Sequence, residues 1–241
     1  MKIKHLATGL LAFGIISCNQ DKKETVENET YADVKVVGAM KEVMWNGELG
    51  SSIDLDTISD KTGLYGLGPE SYLTGELLIM KGTAYVSKVT SDTSMSVEKN
   101  FETSAPFFVY ANVKEWEELA LPGSVKNIQE LERFIDEKTT GFKRPFAFKL
   151  HGRAANAIIH ILDLPEGTKV SSPDDAHRGQ INYSLEDEDV NIVGFFSTEH
   201  KAVFTHHDSY VHMHLITEDE SKMGHLDELE IGSMKLFLPK K

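Results

Sequence analysis

The chain of 241 residues has a single cysteine, Cys18. That excludes a disulfide within the chain and removes thiolate from the possible metal ligands. Basic clusters are absent as well. Lys and Arg total 25 against 38 Asp and Glu, a formal charge of −13. So acidic a surface is a poor match for nucleic acid or an anionic bilayer, and reads as solvated. There is no repeat at a solenoid period. The glycine-rich run Gly63-Leu64-Tyr65-Gly66-Leu67-Gly68-Pro69 lacks the Gly-Lys-Ser/Thr ending and the following helix of a phosphate loop, so close packing of strand backbones explains it better. What is present is ordinary: 40% hydrophobic and 26% charged residues, enough for one substantial core or two small lobes sharing one.

The N-terminus reads as targeting. Lys2 and Lys4 precede an apolar run, Ala7 to Ile16, that is too short to span a bilayer. It ends Ile15-Ile16-Ser17-Cys18, which resembles the lipobox of bacterial lipoproteins. The expectation is a signal peptide over 1–18, a lipid on Cys18, and a polar, acidic, flexible tether over 19–31. The folded part would then occupy 32–241, lipid-anchored at a bacterial cell envelope and touching the membrane only through that lipid.

Along the folded part, Val34 and Val36 suggest a short strand, and Met40 to Val43 a helical turn ending at Asn46-Gly47. Ile53 to Ile58 form a helix or an extended element. Leu73 to Val86 read as a hairpin turning at Lys81-Gly82. Ser91 to Met95 form a polar loop, and Phe107 to Tyr110 a core strand. Val113 to Leu121 and Ser124 to Thr139 are expected as two helices separated by Pro122-Gly123. In the second, Ile128, Leu131 and Ile135 share one face, Ser124 caps the start and Gly141 the end. Strands return at Phe146 to Leu150, Ala157 to Leu162, Asn191 to Phe196 and Lys235 to Leu238, around a polar loop from Pro165 to Arg178. The class is α+β. A mixed-sheet N-terminal lobe (32–140) and a β-rich C-terminal lobe (141–241) flank a central helical segment.

Candidate chemistry centres on Tyr210-Val211-His212-Met213-His214-Leu215 and Gly224-His225-Leu226. Histidines two apart on a strand point the same way, and a hairpin through Thr217 to Met223 returns His225 beside them. Three such imidazoles can hold a metal with coordination positions left open; the plain alternative is strand histidines with no shared purpose. His206 and His207, just upstream, read as loop or supporting residues. A cupin-like centre fits less well, because no acid stands between His206 and His214 at the usual spacing, Asp208 being the nearest. Glu76 lies in an otherwise apolar strand, where an exposed edge position would be the plain explanation.

Taken together, the motifs resemble the α-acetolactate decarboxylase family from about Val34 to Leu229. The resemblance rests on Gly66-Leu67-Gly68, Leu73-Thr74-Gly75-Glu76-Leu77, Gly82-Thr83-Ala84-Tyr85, Ala105-Pro106-Phe107, and His212-Met213-His214 through Asp219 to Met223-Gly224-His225. It implies zinc (Zn2+) held by His212, His214 and His225, with Glu76 as general acid/base. The implied reaction turns a 2-hydroxy-3-keto acid, (S)-2-acetolactate, into (R)-acetoin and CO2 in a homodimer. There zinc acts as electron sink, and Glu76 protonates one face of the enediolate. Where the family carries a carboxylate-binding arginine this chain has His160, which could hold the carboxylate less firmly, join the metal site or sit in the core. The tail from Lys235 to Lys241 has no acid, so the family's C-terminal glutamate has no counterpart there. Loss of that arginine and an envelope address leave a second reading open: a relative that binds metal or a hydroxy acid without acetolactate turnover.

Overall fold

A computed structural model of the chain describes residues 33–205 and 208–240. The expected signal peptide, Cys18, the tether and the pair His206-His207 lie outside the described residues.

The first half runs β1 (Lys35–Val37), α1 (Met40–Asn46), β2 (Ile53–Asp54), β3 (Leu64–Pro69), β4 (Glu76–Met80), β5 (Thr83–Ser91), β6 (Ser94–Lys99), β7 (Ser104–Ala105) and β8 (Phe108–Asn112). The second runs β9 (Trp116–Ala120), α2 (Ile128–Lys138), β10 (Phe146–Ile161), α3 (Pro173–Ala176), β11 (Ile181–Phe196), β12 (Val211–Thr217) and β13 (Met223–Pro239). One sheet has the order β1-β8-β3-β4-β5-β6, and the other β10-β11-β12-β13-β9. In the second, β10 also pairs with β13, so the pairings run in a closed ring. The α+β class stands.

Several expectations change. The first sheet is antiparallel at every pairing, not mixed; short connections link β3 to β6, while β8 returns from a distance to pair with β1 and β3. Val113 to Leu121 is not a helix. Its centre is β9, whose backbone joins the free edge of β13 from Lys235 to Pro239. Tertiary pairing overrides weak local propensity there, and Trp116 packs edge-on against Tyr65 at 5.0 Å. The two sheets therefore divide between Asn112 and Trp116 rather than near residue 140.

The helix α2 is capped by Asn127, not Ser124. Its side chain accepts from the Glu130 N–H, while Glu130 reaches back to the Lys126 N–H, a reciprocal arrangement that satisfies two free donors. The helix ends at Lys138 with Thr139 as cap, before Gly141, and buries Leu131 and Ile135 as expected. The segments Phe146–Leu150 and Ala157–Leu162 are one long strand, β10, carried through its polar middle by register shifts at Arg153/Ala154 and Ala154/Asn156. Inside the expected Pro165–Arg178 loop sits the short α3.

Other readings hold. Lys81 and Gly82 both have positive φ (52° and 79°), as a tight two-residue hairpin turn requires. A Cβ on Gly68 would sit 2.5 Å from the Phe107 carbonyl oxygen, so this glycine serves close strand packing. The core lies between the sheets, where Leu67, Leu78 and Val109 of the first meet Val193, Phe195 and Ile216 of the second. Leu77 and Ile79 pack into a separate cluster on the opposite face of the first sheet. Glu76, two residues from Leu78, thus faces the second sheet.

The β12–β13 turn is built around Asp219. Its carboxylate accepts from the Thr217 hydroxyl at 2.6 Å, the Ser221 N–H at 3.0 Å and the Ser221 hydroxyl at 2.8 Å. The Thr217 bond, and then those from Ser221, bring its pKa from 3.8 to about 2. A folded-state pKa below the unfolded one means stability that is present above the ordinary carboxylate range and lost as pH falls through the folded value. The Asp219→Ala variant is therefore expected to unfold at lower urea than wild type near neutral pH, with the gap narrowing between about pH 4 and pH 2. Urea midpoints across that range check it; a gap independent of pH would refute it.

Candidate metal centre

Closure of the second sheet lines up the histidines. His214 on β12 is directly opposite His225 on β13. His225 is directly opposite His160 on β10. His212 follows the same face of β12 two residues earlier. One rung of three imidazoles with a fourth beside it results. Gly224 makes the approach possible, since a Cβ there would lie 2.5 Å from the His160 carbonyl oxygen.

His212, His214 and His225 are all buried, and one ligand atom from each falls within 4.8 Å of the others. His212 Nε2 and His225 Nδ1 are 3.1 Å apart. Nitrogens bound to one tetrahedral zinc at about 2.0–2.1 Å would be roughly 3.4 Å apart, so the spacing suits a shared ion. The expected facial triad is therefore assembled.

Glu76 faces this triad from the first sheet. It is only 2% exposed, with Oε2 at 3.6 Å from His214 Nε2 and Oε1 at 4.0 Å from His160 Nε2. An exposed edge position is excluded. Burial pushes the Glu76 carboxyl well above the usual carboxylate range; a backbone hydrogen bond from Leu162 opposes this, and Asp227 and Glu70 add to it. Burial, with the neighbouring His160 charge, holds the His214 imidazole down at about 3. Burial thus acts in opposite directions on the two groups, raising the acid and lowering the imidazole.

Two of these atoms, Glu76 Oε1 and His214 Nε2, are buried with no hydrogen-bond partner among the described residues. Leaving such groups unpaired costs about 1–3 kcal/mol each. Neutral imidazole nitrogen beside carboxylate oxygen is a donor set suited to a divalent cation. The residues fit a metal.

His160 belongs to this site rather than to the general core. It is 5% exposed, its Nδ1 is 2.7 Å from Asp227 Oδ2, and its ring lies 4.6 Å from that of His225. Asp227 is a second acid at the centre, and with His160 and His225 it forms another group close enough to hold an ion. Its position two residues after His225 was a signal that sequence reasoning passed over. His177, the C-cap of α3, lines the same pocket, with Nδ1 donating to the Pro173 carbonyl oxygen at 2.6 Å. It sits in a polar loop without periodicity, and no sequence pattern marks it.

The segment leading into Glu76 is strained. Tyr72 and Leu73 have φ of 63° and 56°, a conformation costing a non-glycine residue on the order of 1 kcal/mol or more. Tyr72 N–H donating to Leu49 O at 2.7 Å and Leu164 N–H donating to Leu73 O at 2.9 Å hold it in place.

Antiparallel sheets enclosing a buried histidine–carboxylate cluster define a protein with a candidate metal centre of the three-histidine type. The sequence profile of the family "Alpha-acetolactate decarboxylase" matches residues 37–240, and the chain belongs to that family. It is 28% identical over 199 residues to an alpha-acetolactate decarboxylase of Methanosarcina mazei, covering 82% of this chain. The match spans 65% of that relative's length. The fold is similar to the crystal structure of alpha-acetolactate decarboxylase from Bacillus subtilis strain 168, with TM-score 0.69, 19% identity and 86% of each chain covered. It is also similar to a Staphylococcus aureus protein of unknown function described as similar to alpha-acetolactate decarboxylase, with TM-score 0.69, 16% identity, and 85% and 84% of the two chains covered.

Gly224 gives a direct test of the rung. Gly224→Ala is expected to lower stability by about 1–3 kcal/mol through overpacking against a backbone that cannot yield, and to weaken metal binding by displacing His225. Urea unfolding of the metal-free protein and competition titration with a zinc chelator measure the two effects. An unchanged zinc affinity would show that the close approach of β13 to β10 does not position His225.

Proposed function

We propose that this protein is a zinc-dependent acetolactate decarboxylase, converting (S)-2-acetolactate to (R)-acetoin and CO2. The observation that carries this reading is Glu76, a buried carboxyl with a raised pKa facing three buried histidines. His212, His214 and His225 would hold the ion. When bound, zinc supplies a Lewis acid that draws electron density away from the bond being broken.

The rest is work for the chain's own groups. Loss of CO2 leaves an electron pair on the hydroxyl-bearing carbon, and that carbon must gain a proton. Burial disfavours the Glu76 anion and raises its carboxyl well above the usual carboxylate range, which suits a proton donor. Delivered from one side only, that proton sets the configuration of the product. His160 has its Nδ1 committed to Asp227, so it cannot offer the two-pronged contact of an arginine and presents one ring nitrogen to the pocket. Pro69, Phe107 and Leu162 keep the surroundings apolar, which strengthens polar contacts inside. Attachment to a bacterial envelope through lipid on Cys18, and a homodimer, belong to the same proposal.

The protein is expected to carry about one zinc per chain and to release acetoin from acetolactate. Glu76→Gln should retain zinc while turnover falls by roughly 10²–10⁴-fold, the usual worth of a positioned acid. A Glu76→Gln variant as active as wild type would remove Glu76 from the chemistry.

His160 in place of the arginine favours the second reading, a relative that binds metal or a hydroxy acid without turning over acetolactate. A wild-type protein that holds zinc but makes no acetoin, and gains turnover on His160→Arg, would establish that alternative.

A further inference from the structure

The pocket beside the histidines has two unlike sides. Glu76, His160, His177, His212 and His225 form the polar side. Met40, Met44, Phe107 and Leu162 form the apolar one. Metal binding and proton delivery use only the first.

The apolar side is a layer of its own. Met44, Phe107 and Leu162 share a small core with Val43, Leu73 and Val170, distinct from the clusters that fill and flank the two sheets. Met40 packs against the edge of that core. Met40 and Met44 are four residues apart on α1 and so occupy one face of the helix. The helix is fixed at both ends. The Met40 and Lys41 N–H groups donate to the Val203 and Ala202 carbonyls at 2.7 and 3.1 Å. Its C-cap Gly47 takes φ 67°, and a Cβ there would lie 2.7 Å from the Val170 carbonyl oxygen. The bond from Tyr72 to Leu49 then ties this layer to the strained turn before Glu76. A methionine wall is thereby held at a set distance from the acid.

We propose that α1 is the specificity element of the site: Met44, with Met40 beside it, receives the alkyl substituent on the substrate's hydroxyl-bearing carbon and restricts it to small groups. This rests on the decarboxylase reading for the identity of the substrate, but the apolar wall makes its own demand on any 2-hydroxy acid bound there. One added methylene in such a pocket changes recognition by about 10–200-fold. Methionine is deformable, so selection falls off gradually with size instead of stopping at one group.

The test compares zinc-loaded wild type with Met44→Ala, Met40→Ala and, as a surface control on the same helix, Lys41→Ala. Binding of two unreactive probes, 2-hydroxy-2-methylbutanoate and its homologue with propyl in place of the methyl, is measured by calorimetry. Turnover of acetolactate and its ethyl and propyl homologues is measured on the same samples. Wild type and Lys41→Ala should bind the methyl probe at least about 10-fold more tightly than the propyl probe. Met44→Ala should bring that ratio to about one or below. Should Met44→Ala not fold, Met44→Leu carries the comparison, with a smaller narrowing expected. An unchanged ratio in folded Met44 and Met40 variants overturns the proposal, as does a wild type that binds neither probe. Size selection in binding without turnover of any substrate leaves the proposal standing and removes the decarboxylase reading.

Discussion

A carboxyl and an imidazole that water scarcely reaches, each with a polar atom left unpaired, set the terms for this structure. Glu76 Oε1 and His214 Nε2 lie where the two sheets meet, with no hydrogen-bond partner among the described residues. Such an arrangement costs stability unless a ligand repays it, and its neighbours are the groups a divalent ion accepts. Burial also shifts both groups. It raises the Glu76 carboxyl and lowers the His214 imidazole, favouring the neutral form of each.

The sheets supply this juxtaposition in complementary ways. The second sheet closes on itself through the pairing of β10 with β13, and that closure puts His160, His225 and His214 on one rung. Gly224 lets the backbones come close enough, and the Asp219 turn sends β13 back along β12. The first sheet contributes Glu76 to the histidine cluster, from a strand whose next positions, Leu77 to Ile79, are buried and apolar. Over the centre lies a third, smaller layer from α1, Phe107 and the segment after β10, apolar where the rung is polar. A histidine cluster, the Glu76 carboxyl and an apolar cover are thus three separately built parts of one pocket.

Much of this was legible in the chain itself. Strand periodicity puts His212 and His214 on one side, and a hairpin between Thr217 and Met223 can return His225; Glu76, read alone as an exposed edge residue, gained its role only from the family resemblance. Other features were not legible, for physical reasons. Trp116 to Ala120 became a strand only because β13 had an edge to pair with. Ser124 lost the helix cap to Asn127 because the latter, with Glu130, satisfies two backbone donors at once. The polar centre of β10 looked like a break, yet bulges carry the strand through it, with Arg153 bound to Asp187 and Asp189 outside.

By itself, then, the sequence determined the α+β class and brought the three histidines forward as a possible cluster, because alternation and turn chemistry are local properties; Glu76 became a candidate acid only through the family resemblance. Only the tertiary structure decided that His160 joins the rung, that Asp227 holds it, and that His177 and the α1 methionines share the pocket. Those relations depend on which strands close the ring and which loop folds over it. Contacts between residues far apart in the chain leave no period in the sequence to read.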